Sequence, residues 1–464
     1  NINLGFKRMS DFMIEGEDRD KVSGTPGLVT TTVGDRMWLQ VRPSSTFGEG
    51  GLRVPFRSRG ILHRKGVDYD SDSPHLVAPG SPISLEEEEA VKLDHNRGDV
   101  ILQGERKLHI HIPGTGSSPT GHHVGYEFMS TVRRKGWASV SLSYEWANFA
   151  DIEKNRVCVE AGHPICQTML AQYHHDVSFG GSHEPLTNTH MSGSIVVRIS
   201  ALLIYLFHNR PCEEGWVHFL SDEALSLLTD AAESARQLTV EDITRCIRWS
   251  RIILTGHSQG AGHVAYIAQQ VEVGRVVLFS GPQEEYCLSS ADEESRLGDH
   301  SGHSRHWLEA VVWKTKQVFA MMHKDEEGTA DLIRYCWSKV PALEQNEENN
   351  KIYLRQESDA LSSESFQCYH REGYRCIETA LAPNMSSQVS DARPNHNSLT
   401  TDMKTPVCVP SPAQLGGIES TSHKKYLTDS TACMDTPSSS VNTHSVPVYS
   451  VWVWPYLLGC FDNE

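Results

Sequence analysis

The sequence predicts an α/β fold built on a doubly wound, mostly parallel sheet, and three observations predict it. Strand-like and helix-like segments alternate from about residue 98 to 340. The apolar run Ile252, Ile253, Leu254 stops at GHSQG (256–260) and leads straight into Ala261, Val264, Ala265, Ile267 and Ala268, which recur at helical intervals. RKLHIHIPGTG (106–116) is a strand closing on a Gly/Pro loop.

Taken in order, residues 1–95 are polar and broken by turn formers (SGTPG, SSTFGEGG, DSDSPHLVAPGSP), with strand-like pieces such as RMWLQVR among them. They are expected to form a partly irregular extension, ending in a solvated acidic run, LEEEEA. The core is expected over 96–340. After the strand at 106–116 comes a helix, YEFMSTVRRKG, stopped by Gly136, and then a strand, WASVSLSY (137–144). A polar stretch holding Cys158 and Cys166 precedes an apolar helix near 193–209, and more helical sequence fills 213–247. The region 145–245 is therefore expected to be a cap-like insertion. VGRVVLFSGP and TKQVFAMMHKD supply two later strands, with WLEAVVW (307–313) as a helix between them. Composition then turns to Asn, Gln, Glu and Ser, so 341–390 is expected to be a polar, flexible insertion. Residues 391–464 carry a histidine loop and an apolar closing segment.

Composition narrows the partners. A formal charge of −17 over 464 residues disfavours nucleic acid and anionic membranes. No apolar run is long enough to span a bilayer; the nearest candidate, IVVRISALLIYLF (195–207), carries Arg198 in its middle. Starting at Asn1, the chain reads as a fragment or a processed or trimmed product, from which any signal peptide would be missing, and whether one preceded Asn1 stays open. Eleven cysteines, five of them late (Cys368, Cys376, Cys408, Cys433, Cys460), and the sequon Asn384-Met385-Ser386 lean toward a secreted or lumenal setting. Thiols that fill gaps in a cytosolic protein fit the same count. Disulfide pairing and oligomeric state stay open.

GHSQG has the G-x-S-x-G spacing of a nucleophile elbow. A turn tight enough to push Ser258 out above a sheet leaves no room for side chains on Gly256 and Gly260. The helix that begins there aims unpaired N–H groups at developing negative charge, with Gln259 N–H as one oxyanion donor. A serine hydroxyl needs a histidine to take its proton and a carboxylate to orient that histidine. Asp325, just past KQVFAMM, is the first choice of acid; Glu284 and Glu285 compete, as does Glu326. The base must come later still, from His370, His396, His423 or His444, and His396 in ARPNHNSLTTD has the setting of a loop-delivered histidine. The second oxyanion donor is sought in PGTG (113–116), with Thr115 N–H first and Gly114 or Gly116 next. Among the 24 histidines, His109 with His111, His122 with His123, and His300 with His303 and His306 cluster. None has matched Cys or carboxylate spacing, so no metal and no cofactor is expected.

With those residues in hand, the chain resembles the α/β-hydrolases of the serine esterase and lipase kind, and more narrowly a group of bacterial and algal α/β-hydrolases of mostly unassigned substrate. The resemblance rests on LHIHIPGTGSSP, GWASVSLSYEWAN, the Cys158 and Cys166 loop followed by GSIVVRISALLIYL, ILTGHSQGAGHVAY, VVLFSGPQ, HKD (323–325) and NHNSLTTD. It covers roughly 100–340 and the segment around His396. It implies the α/β-hydrolase fold, Ser258 as nucleophile, His396 as base, Asp325 as acid, and an acyl-ester or related carboxylic substrate. The group has an aspartate after SGPQ where this chain has Glu284. Its relatives also include thioesterases, acyltransferases, amidases and proteins that have lost activity. The expectation is thus a cofactor-independent serine hydrolase acting on a small-molecule ester, with Tyr144, Trp146 and Phe149 favouring an apolar acyl or aryl group. An acyltransferase using the same residues, or a catalytically silent ligand- or partner-binding protein, are the alternatives.

Overall fold

The computed structural model describes residues 28–33, 36–48, 51–58, 61–64, 67–80, 106–115, 117, 119, 126–132, 136–146, 165–183, 187–209, 215–224, 238–283, 307–308, 313–315, 317–323, 326, 329–338, 353–354, 366–371, 374–379 and 458. The first strands are β1 (Leu28–Val33), β2 (Arg36–Val41), β3 (Ile61–Arg64), β4 (Val67–Asp70) and β5 (His75–Ala78). Next come β6 (Leu108–Ile112), α1 (Tyr126–Ser130), β7 (Ala138–Ser141), α2 (Ile165–Phe179), β8 (Gly181–His183), β9 (Thr187–Thr189), α3 (Ile195–Asn209) and α4 (Val240–Arg245). The chain continues through β10 (Ile252–His257), α5 (Gln259–Gln270), β11 (Arg275–Phe279), β12 (Val318–His323) and α6 (Ala330–Ser338) to β13 (Tyr353–Leu354), β14 (Phe366–Arg371) and β15 (Tyr374–Thr379).

Eleven of these strands form one sheet in the order β1-β2-β5-β7-β6-β10-β11-β12-β15-β14-β13. From β7 through β15 every neighbour is parallel, whereas β1, β2 and β5 on one edge and β14 and β13 on the other pair antiparallel. A parallel centre needs crossover connections, and helices supply them. This is the α/β-hydrolase fold, a doubly wound and mostly parallel sheet with an elbow after a central strand. The winding reverses at β6: the chain steps outward to β7, then crosses back to β10 on β6's other side. In open α/β sheets, ligands bind in the crevice past the carboxyl ends of the strands at such a switch point.

Alternation along the strands sends their side chains to two cores. Ile252, Leu254, Val276 and Leu278 enter the larger cluster with residues of α3 and α5, while Ile253, Val277 and Phe279 enter the smaller one with Phe128, Met129, Trp38 and Leu76. Fully burying an aliphatic side chain of this kind is worth about 1.5–3 kcal/mol, and a one-residue slip would send each side chain to the other core, where the neighbours it packs against differ.

Two stretches differ from expectation. Part of the expected extension, residues 28–78, contributes β1, β2 and β5 to the main sheet, with Trp38, Leu39, Leu76 and Val77 fully buried. Part of the expected insertion at 341–390 supplies β13, β14 and β15. Short antiparallel strands separated by turn formers lack the continuous apolar runs of the centre, so their sequences read as irregular. Within 145–245, α3 is buried from Ile195 to Leu206 and belongs to the core of one face. The expected helix at 307–313 lies largely outside the described residues. Among the described residues no helix is long and apolar enough to cross a membrane.

Arg198 explains why a charge sits inside that apolar helix. It is fully buried, and its guanidinium donates to Ser192 O (3.1 Å), Ser143 O (3.0 Å) and Ser71 O (2.8 Å), with Glu145 Oε1 at 3.9 Å. It therefore ties α3 to the loops after β4 and β7. Arg198→Met would remove three charge-assisted hydrogen bonds and the cation beside a buried carboxylate, so a loss of about 3–5 kcal/mol is expected in urea unfolding, with Arg198→Lys losing less.

Candidate active site

The junction of β10 and α5 holds a strained backbone beside the switch point. Ser258 holds φ 55 and ψ −122, a region that non-glycine residues seldom adopt, at a cost of about 1–3 kcal/mol. Its N–H donates to Phe279 O (2.9 Å) and its carbonyl accepts from Ala261 N (3.0 Å). The two glycines permit the approach this requires. A Cβ on Gly256 would lie 2.4 Å from Gly260 O, and one on Gly260 would lie 2.2 Å from Ile112 O and 2.7 Å from Pro113 O. Gly256 pairs in register with Ile112, so the ends of β6 and β10 lie side by side.

That pairing delivers the PGTG loop to the serine. A Cβ on Gly114 would meet Ser258 Cβ at 2.9 Å and His257 Nδ1 at 3.1 Å. Thr115 Oγ1 donates to Gln259 Oε1, linking the two residues chosen as oxyanion donors. Gln259 also opens α5, where the first N–H groups have no partner within the helix. Tyr144 OH donates to Pro113 O (3.0 Å) and Gln259 Nε2 to Trp146 O (3.2 Å). Tyr144 and Trp146 are both buried. In this way two residues read from sequence as apolar lining also hold the loop and the helix start.

A second support had no sequence signal. Gln259 Nε2 also donates to Tyr173 OH on α2. Tyr173 OH lies 3.4 Å from His263 Nε2, and His263 Nδ1 lies 3.0 Å from His174 Nδ1. One proton order satisfies all of these contacts: Tyr173 donates to His263, whose Nδ1–H donates to His174. His263 is buried and its pKa is held well below the usual imidazole value, first by burial and then by His174.

On the other side of the serine, Gln283 Nε2 donates to Ser258 Oγ. The turn that carries Gln283 is anchored. Ser280, at φ 49, donates through Oγ to Glu326 Oε1 (2.6 Å), and Trp337 Nε1 donates to Gly281 O (2.9 Å). Glu326 Oε2 accepts from Thr329 Oγ1 (3.3 Å), so both oxygens of this buried carboxylate are engaged. Asp325, Glu284, Glu285, Gly116, His396, His423 and His444 lie outside the described residues, and His370 falls in β14. The structure thus brings together Ser258, Gln259, Gly114 and Thr115, with Gly256 and Gly260 beneath them.

The paired histidines of β6 face the smaller core. His109 bridges Ser139 Oγ (2.8 Å) and Thr255 Oγ1 (2.9 Å), and His111 Nδ1 lies 2.9 Å from the same Thr255 oxygen. Both rings meet Phe128 edge-on. Burial pushes the His109 pKa down to about 3; His111 is held well below the usual range by burial, then by His109 and His257. These are neutral core rings that stitch β6 to β7 and β10. His122, His123, His300, His303 and His306 lie outside the described residues, and among those described no group of three or more His, Cys, Asp or Glu is placed to hold a metal.

No family model matches the sequence, and no curated protein matches it. Similar solved structures include three enzymes from a fungus and two bacteria. An acetyl xylan esterase from Aspergillus awamori is 9% identical, with a TM-score of 0.31, 66% of this chain and 86% of that chain covered. A carboxylesterase from Lactobacillus plantarum is 12% identical, with a TM-score of 0.27, 62% of this chain and 78% of that chain covered. An S-formylglutathione hydrolase from Agrobacterium tumefaciens is 10% identical, with a TM-score of 0.30, 68% of this chain and 85% of that chain covered. Likenesses of that size carry no argument about activity, and the fold assignment rests on sheet order and on the turn at Ser258.

Burial of His75, His109, His111 and His263 has a consequence for stability. Each pKa is lowered in the folded chain, so below the unfolded value of about 6.5 the unfolded chain binds more protons and stability falls with pH. Each such histidine contributes a slope of up to about 1.4 kcal/mol per pH unit. Urea midpoints taken from pH 8 to pH 5 are expected to hold above pH 7 and drop steeply below about 6.5. A flat profile across that window would contradict the neutral assignment.

Proposed function

We propose that the protein is a serine hydrolase that cleaves a small-molecule carboxylic ester through an acyl-enzyme on Ser258. The observation that carries this reading is the positive-φ serine between β10 and α5 at the switch point of the sheet, with the PGTG loop packed against it. Ser258 Oγ attacks the ester carbonyl while His396, oriented by Asp325, takes its proton. The N–H groups of Gln259 and Thr115 stabilise the oxyanion. His396 then protonates the departing alcohol and later activates water for deacylation. Asp325 is preferred to Glu326 as the acid because both Glu326 oxygens already accept hydroxyl donors. The chemistry is complete with these groups and calls on no cofactor.

The test is reaction with a fluorophosphonate probe, in which Oγ displaces fluoride from phosphorus. Labelling is expected for the parent chain and is expected to vanish in Ser258→Ala and fall by at least about 100-fold in His396→Ala. A folded parent that takes no label would remove the hydrolase reading and leave a silent binding protein.

A further inference from the structure

We propose that Gln283 is a catalytic residue whose side-chain amide donates to Ser258 Oγ and stabilises the negative charge that builds there. This inference rests on the reading of Ser258 as nucleophile. Three features of the 280–283 turn support it. The amide reaches the reacting oxygen itself. The turn that carries it is pinned through Ser280 to Glu326 and through Gly281 O to Trp337. It is also pressed against the elbow, since a Cβ on Gly281 would lie 2.7 Å from Ser258 O and 2.8 Å from Ala261 Cβ. A donor fixed on one face of Oγ occupies a lone pair and leaves the hydroxyl hydrogen for the base.

The chemistry explains why a donor is useful there. In acylation the hydroxyl proton passes to the base as the Oγ–C bond forms and the carbonyl π pair moves onto oxygen. Collapse breaks the bond to the leaving alcohol, which takes the proton back. In deacylation water adds to the acyl carbon and gives its proton to the base. The Oγ–C bond then breaks with its electron pair on Oγ, and the base returns the proton. Oγ carries negative charge at the start of the first step and at the end of the second, whereas it is a weak acceptor as an ester oxygen. A hydrogen bond from Gln283 is therefore stronger when Oγ carries that charge than when it is the neutral hydroxyl from which acylation starts or the ester oxygen from which deacylation starts, which is the condition for lowering each barrier.

The experiment compares fluorophosphonate labelling rates for the parent, Ser258→Ala, Gln283→Ala and Gln283→Glu, with thermal melts on each. Gln283→Ala is expected to label about 10- to 100-fold more slowly than the parent with little change in melting. Gln283→Glu is expected to be slower still at pH 8, where its carboxylate opposes charge on Oγ and competes for the hydroxyl hydrogen. Its deficit relative to Gln283→Ala is expected to narrow toward pH 5 as the carboxyl protonates. A role confined to packing would not produce that pH dependence. If Gln283→Ala does not fold, the Gln283→Glu rate taken as a ratio to the parent at each pH decides, and that ratio is expected to rise toward pH 5. Labelling of both folded variants within about twofold of the parent would overturn the proposal while leaving the nucleophile intact. A parent that labels no faster than Ser258→Ala would overturn both.

Discussion

Ser258 occupies a backbone conformation that a side chain resists, and the surrounding structure is organised around holding it there. The N–H of the serine is fixed to the end of β11, its carbonyl to α5, and the two flanking glycines bring α5 within contact of β10 and of the end of β6. Any Cβ at Gly256 or Gly260 would collide with main chain, which cannot rotate out of the way as a side chain could. The parallel register between β6 and β10 then decides what lies opposite the serine, and that is the PGTG loop. Strain at one residue is therefore sustained by long-range strand pairing together with the two local glycines that permit it.

A second layer holds the groups around the serine. The Gln259 side chain ties α5 to Thr115 on the loop, to Trp146 past β7 and to Tyr173 on α2. Tyr173 continues into the buried pair His263 and His174, which packs against Trp307. Burial holds the His263 imidazole neutral, so it acts as an oriented donor and acceptor and fixes positions without itself introducing a charge near the serine. Gln283 approaches from the opposite direction on a turn anchored to Glu326 and Trp337.

The parallel centre of the sheet was legible in sequence because LHIHI, RIILTGH, RVVLF and VFAMMH are short apolar runs flanked by turns and helices, the mark of strands buried on both faces. The elbow was legible because its glycines answer a steric need that only one residue type meets. The edge strands were not, since β1, β2, β13 and β14 are short antiparallel pieces, and β5 and β15 join them to the parallel centre without a long apolar run of their own. The histidine pair of β6 could be assigned to one strand face from its spacing alone, but its partners Thr255 and Ser139 come from neighbouring strands and depend on register. Tyr173, His263 and Gln283 are conspicuous only once three separate elements are packed together. His263 and Gln283 lie in stretches that carry the family resemblance, but nothing in those stretches marks either residue for this role.

The most direct test of the account is a crystal structure of the adduct formed with a fluorophosphonate. Ser258 Oγ is expected to be bonded to phosphorus, with the phosphoryl oxygen within about 3 Å of Gln259 N and pointing toward the PGTG loop. Phosphorus bonded to another residue, or a phosphoryl oxygen turned away from the start of α5, would contradict the claim that this strained turn is built to place a nucleophile beside its oxyanion donors.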